Sequence, residues 1–140
     1  IKLSPKSNIP KYNLAQVYIK FNHLEKAKDL INPLVNKNSN DIDLIFSIMT
    51  IEIAQGNFDK AYSWSKRFDS MDLRREDISL YVALLYYELK KYVEAKAIIG
   101  AQKPTIIEEI NSATKVITKK IDIELKRIKE ENDRKEAKKV

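Results

Sequence analysis

Apolar side chains return along this chain at helical spacing, and the clearest run is the last one. Ile107, Ile110, Ala113, Thr114, Ile117, Ile121, Leu125 and Ile128 fall three or four residues apart, a mostly apolar stripe on one helix face. From Lys129 onward nearly every residue is charged, so the helix is predicted to run into solvent and fray. Ahead of it the pattern predicts six shorter helices, near 9–21, 24–36, 41–55, 58–69, 75–89 and 92–100. Thr105 and Glu108, just after Pro104, read as a capping box for the seventh. Pro33 falls late in the second helix, where it removes a backbone donor and is expected to bend or end it.

The apolar positions also repeat over a longer distance. Ala27, Ala61 and Ala95 are spaced by 34 residues, and so are Leu24, Phe58 and Tyr92. Leu14, Ile48 and Val82 follow the same rule, as do Val17, Ile51 and Leu85. Each alanine is read as the place where two helices approach closely, so a larger side chain there would overpack at about 1–3 kcal/mol. Leu24, Phe58 and Tyr92 cover the hairpin turn. Tyr18 and Tyr86 fill the space between the first helix of a hairpin and the second.

These residues resemble the tetratricopeptide repeat, a helix–turn–helix unit of the same 34-residue period. The resemblance rests on Tyr12-Asn13-Leu14-Ala15-Gln16-Val17-Tyr18-Ile19-Lys20 with Leu24-Glu25-Lys26-Ala27. Gly56-Asn57-Phe58-Asp59-Lys60-Ala61 continues it, with Ala83-Leu84-Leu85-Tyr86-Tyr87 and Tyr92-Val93-Glu94-Ala95. It covers about residues 8–103, as three units near 8–41, 42–75 and 76–103. It implies an all-α, solenoid-like stack of three hairpins, with residues 104–140 as a long C-terminal capping helix. The chain departs from the family at Glu52, where Tyr is usual, and at Met49, where a small residue is usual. The helix-ending Pro is replaced by Ser39, Leu73 and Ile107. An irregular middle repeat is the expectation.

Composition agrees with helix and narrows the chemistry. With 2 Gly and 4 Pro there is little material for the many tight turns of an all-β fold. No Cys is present, which removes disulfides, thiolate metal sites and cysteine nucleophiles. His23 is the only His, at a hairpin turn, and reads as a solvated turn residue. Two glycines cannot write a phosphate-binding loop. Adjacent carboxylates such as Glu108/Glu109 and Glu130/Glu131 diverge on a helix. The chain therefore reads as no enzyme, with no cofactor, no metal and no small-molecule substrate.

The net charge of +6 is spread out: residues 1–104 carry 16 basic against 12 acidic side chains, residues 105–140 carry 10 against 8. Interspersed signs suit a solvated helical surface, and nucleic-acid binding is disfavoured because no basic face is gathered. No stretch approaches the ~20 apolar residues of a membrane span. Opening at Ile1 rather than Met, the chain reads as a fragment. The abundance of Ile, Lys and Asn suggests an AT-rich bacterial genome. The compartment stays open between an envelope protein anchored by an upstream segment and a cytoplasmic one.

By phase with the family, Tyr12, Gln16 and Ile19 line a concave groove with Phe46, Thr50, Ile53, Leu80, Leu84 and Tyr87. The Lys, Asn and Arg with which some members clamp a carboxylate tail are absent; Tyr12, Gln16, Ser47, Asp77 and Tyr81 stand there instead. The resemblance thus implies a scaffold binding another protein, as a helix or hydrophobic segment in an apolar groove. Three alternatives stand beside it: cover of the groove from within the same chain, self-association through the C-terminal helix and, last, nucleic-acid binding. Trp64 reads as packing rather than as a binding hot spot.

Overall fold

The computed structural model describes residues 8–37 and 40–139, so Ser39 lies outside the described residues. Within them the chain is all-helical: α1 (Asn8–Lys20), α2 (Leu24–Lys37), α3 (Ile42–Ala54), α4 (Phe58–Trp64), α5 (Glu76–Glu88), α6 (Tyr92–Gly100) and α7 (Glu108–Lys138), with a 3-10 helix over Ser65–Ser70 after α4. The 34-residue recurrence holds to the residue in where the helices start. α1, α3 and α5 begin at residues 8, 42 and 76, and α2, α4 and α6 begin at 24, 58 and 92. Each pair packs as a hairpin.

The three hairpin turns are built alike. Asn22, Gly56 and Lys90, again 34 apart, take positive φ angles of 63°, 79° and 61°. One residue later the N–H of His23, Asn57 and Lys91 donates to the carbonyl of Tyr18, Glu52 and Tyr86, each at 2.8 Å. That six-to-one bond satisfies a carbonyl the ending helix would otherwise leave open. The turn then starts the next helix: the N–H of Ala27, Ala61 and Ala95 donates to the carbonyl of His23, Asn57 and Lys91. All three alanines are fully buried, as are Ala15, Met49 and Ala83 at another recurring position. Glycine adopts the left-handed conformation freely; Asn tolerates it better than Lys does.

The chain divides into two compact units, Ile1–Met71 and Asp72–Val140. In the first, α2 packs on α1 and α3, α4 packs on α3, and the 3-10 helix returns to α3. Its core holds Ile31, Leu34, Val35, Leu44, Ile45, Ile48, Ile51 and Phe68. Glu52 is buried among them, with a side chain only 3% exposed, and accepts from Lys28 Nζ at 2.7 Å and from Asn57 Nδ2 at 3.1 Å. The buried Glu52 carboxylate of the middle hairpin is thus paired with a lysine from α2.

In the second unit α7 packs along both α5 and α6, and Ile117 and Ile121 are its buried residues. Ile110, Ala113, Thr114, Leu125 and Ile128 are half-buried beside them, whereas Ile107 is exposed. The connection before α7 is tied down: Lys103 N–H donates to the Arg74 carbonyl at 2.9 Å, and Gln102 Nε2 donates to the Glu76 carbonyl at 3.1 Å.

α2 runs through Pro33 to Lys37, within a residue of the expected 24–36, with the proline exposed to solvent. Three local expectations are corrected. The fourth helix ends at Trp64 and tightens to 3-10, where Ser63 and Ser65 hydroxyls donate to the carbonyls of Lys60 and Tyr62 and compete with the α pattern. Thr105 forms no capping box; its Oγ1 accepts from Ile107 N–H at 3.1 Å, and α7 starts at Glu108 without a side-chain cap. The charged end stays helical through Lys138, laced by pairs of Arg127 with Glu124 and Glu131 and of Lys135 with Glu131.

Candidate functional site

The nine side chains assigned to a binding face all lie on the first helix of a hairpin, spaced three, four or seven apart, so each helix presents its set on one side. In the first unit α1 carries Tyr12, Gln16 and Ile19, and α3 carries Phe46, Thr50 and Ile53. Beside these sets, Gln16 Nε2 of α1 donates to Ser47 Oγ of α3 at 2.8 Å, and Ser47 Oγ donates to the Asp43 carbonyl at 2.9 Å. The polar positions at the middle of this face are thus satisfied by one another. All six assigned side chains are half-buried, each with its outer part open to solvent.

Phe46 is held edge-on to Phe68, ring centroids 5.9 Å apart. Part of that ring belongs to the core, so it is a structural support as well as a surface. Thr50 Oγ1 donates to the Phe46 carbonyl at 2.8 Å.

In the second unit Leu80, Leu84 and Tyr87 lie along α5, with Leu84 exposed and the other two half-buried. Tyr87 meets Tyr92 edge-on at 5.4 Å. Burial pushes the Tyr92 phenol above its ordinary range. Asp77, at the start of the same helix, is held below the usual carboxylate range by the Arg75 guanidinium, 2.6 Å away.

Ala27, Ala61 and Ala95 have no surface and act in packing alone. Trp64 is half-buried with the Arg67 guanidinium over its ring at 4.5 Å, and Arg67 also donates to the Val35 carbonyl. His23 is exposed and edge-on to Tyr18. Among the described residues no three His, Asp or Glu side chains gather as metal ligands, and no buried side-chain nitrogen or oxygen lacks a hydrogen-bond partner. No described helix is long and apolar enough to cross a membrane.

Two features escaped the sequence reading. One is the Lys28–Glu52 pair, for which the 24-residue separation gives no local signal. The other is the exposure of Leu14 and Val17, residues whose counterparts in the next two hairpins are buried. Compared with known proteins, the chain matches no family model, no curated protein and no solved structure.

Proposed function

We propose that this chain is a non-catalytic scaffold that holds a helix or extended apolar segment of another protein. The observation that carries this reading is the half-exposed apolar row on the first helix of each hairpin: Tyr12, Ile19, Phe46 and Ile53 in one unit, Leu80, Leu84 and Tyr87 in the other. Such rows are what an amphipathic helix or an extended segment docks against. The tetratricopeptide-like reading is supported by the recurrence of helix starts, left-handed turn residues and buried alanines at 34-residue intervals.

The test places a photo-crosslinking amino acid at position 50 or 84 and captures protein from a cell extract. Leu84→Asp is the comparison variant for the crosslinker at 50 and Thr50→Arg for that at 84, and a melt checks that each folds. A covalent adduct formed by the parent and lost in the variants supports the scaffold. Equal adducts in parent and variants, with unchanged melting, refute the assignment of this face.

A further inference from the structure

The three hairpins repeat in backbone, yet the first differs from the others in one surface. In register with the 34-residue period, Leu14, Val17, Tyr18 and Phe21 of the first hairpin correspond to Ile48, Ile51, Glu52 and Gln55 of the second. The third supplies Val82, Leu85, Tyr86 and Leu89. The third set is buried throughout, and Ile48, Ile51 and Glu52 are buried in the second. In the first, Leu14 is 45%, Val17 48% and Phe21 68% exposed.

The second hairpin shows what covers this face. α2 packs on α3, and Lys28 Nζ reaches Glu52 and Gln55, while Gln55 Nε2 donates to Glu25 Oε1 at 2.6 Å. The side of α3 that carries Glu52, continued by Gln55, is therefore the seat of an amphipathic helix that lies along it. Among the described residues α1 leaves the same side exposed at Leu14 and Val17, and its chemistry differs. Where α3 offers Glu52 and Gln55 to a lysine and a glutamate, α1 offers Tyr18 and Phe21. A helix lying on α1 as α2 lies on α3 meets aromatic rings at the positions that Lys28 and Glu25 occupy.

Charge says more about the occupant. Lys11 lies one turn before Leu14 on this side, Lys20 flanks Phe21, and α1 contains no acidic residue. A second copy offering its exposed α7 side would bring Val116 and Ile123 together with Lys115, Lys119 and Lys126. Lysines would then face lysines, so a second copy is disfavoured.

We propose that the Leu14–Val17–Phe21 face is a second docking surface, whose occupant is an amphipathic partner helix with an apolar stripe wider than that of α2 and carboxylates on its flanks. This surface is separate from the Tyr12–Phe46 face, since residues 14, 17 and 21 lie on a different side of α1 from residues 12, 16 and 19.

The probe is a synthetic peptide with the sequence of residues 24–37, carrying Glu25→Leu and Lys28→Leu, Lys26→Glu and Lys37→Glu, and held helical by a lactam across its solvent side. It is fluorescently labelled and titrated with the intact chain, by anisotropy at low salt. Saturable binding is expected, weakened at least tenfold by Val17→Asp with Phe21→Asp and unchanged by Thr50→Arg with Leu84→Asp. Val17, Phe21 and Leu84 are exposed and Thr50 is half-buried, and a far-ultraviolet melt checks that each variant folds. Binding equal in parent and Val17→Asp/Phe21→Asp, or no saturable binding, overturns the proposal. So does a concentration-dependent dimer that only Val17→Asp/Phe21→Asp abolishes, since the occupant is then a second copy. Preference for the parent α2 peptide over the modified one overturns the assigned chemistry of the occupant.

Discussion

Lys28 and Glu52 allow the packing of α2 on α3 to be tested by a single cycle of substitutions. The Glu52 carboxylate has a side chain 3% exposed and Lys28 one 17% exposed, at 2.7 Å. Replacing Lys28 by Met keeps the length of the side chain and leaves Glu52 with Asn57 as its remaining donor from another side chain. Breaking a buried pair from one side costs about 3–5 kcal/mol. Here the lysine keeps some contact with water and Asn57 remains, so the expected loss is smaller, about 2–3 kcal/mol. Changing both residues, Lys28→Met with Glu52→Leu, removes the buried charge and its desolvation together, and stability should return to within about 1 kcal/mol of the parent. Denaturant unfolding followed by circular dichroism reads all four corners of the cycle. A Lys28→Met chain within about 0.5 kcal/mol of the parent would show that the charge finds water despite its burial. A double variant as unstable as the single one would refute the view that the uncompensated carboxylate is the cause.

Four further outcomes are expected. Lys90→Gly should raise stability by about 1 kcal/mol and Gly56→Ala lower it by a similar amount, since both positions need a positive φ; thermal melts check both. Ala95→Leu should lower stability by about 1–3 kcal/mol through overpacking where α6 leaves its turn, with the loss concentrated in the Asp72–Val140 unit by hydrogen exchange. Ile121→Ala, at a buried position of α7, should cost about 2–5 kcal/mol and expose the amides of α7 in the same measurement. The raised pKa of Tyr92 means the folded chain resists losing that proton. Its stabilising contribution is present below the ordinary tyrosine value of 10.0 and is lost as pH rises through the folded value. Tyr92→Phe should therefore flatten the decline of stability at alkaline pH, and an unchanged slope would refute that origin.

Helical class and the bounds of most helices could be read from sequence because both depend on spacing that is local. Ala27, Ala61 and Ala95 announced the packing positions, since only a small side chain fits where helix axes converge, and all three are buried. Phase alone placed Ile117 and Ile121 in the eight-residue apolar stripe of the last helix, and the structure shows these two to be its buried members. The ends of elements were less legible. Ser63 and Ser65 tighten the chain after Trp64 by bonding to nearby carbonyls, and Thr105 forms a turn three residues before α7 starts rather than its cap. Propensity rules rank such options without deciding between them.

The nine assigned binding-face residues could be placed on their helix sides by phase, and the structure finds eight half-buried and Leu84 exposed. That Gln16 bonds Ser47, or that Phe46 leans on Phe68, required the fold, because these partners are 31 and 22 residues apart. By itself the sequence determined a helical chain with a 34-residue beat, its small packing positions and its lack of cysteine chemistry. Tertiary structure alone decided that Glu52 is a buried ion-pair partner rather than a flaw, and that equivalent positions differ in exposure. Leu14 and Ile48 have the same place in the repeat and the same apolar character. Whether either meets water depends on whether another helix lies over it: α2 packs on α3, and among the described residues Leu14 of α1 stays exposed.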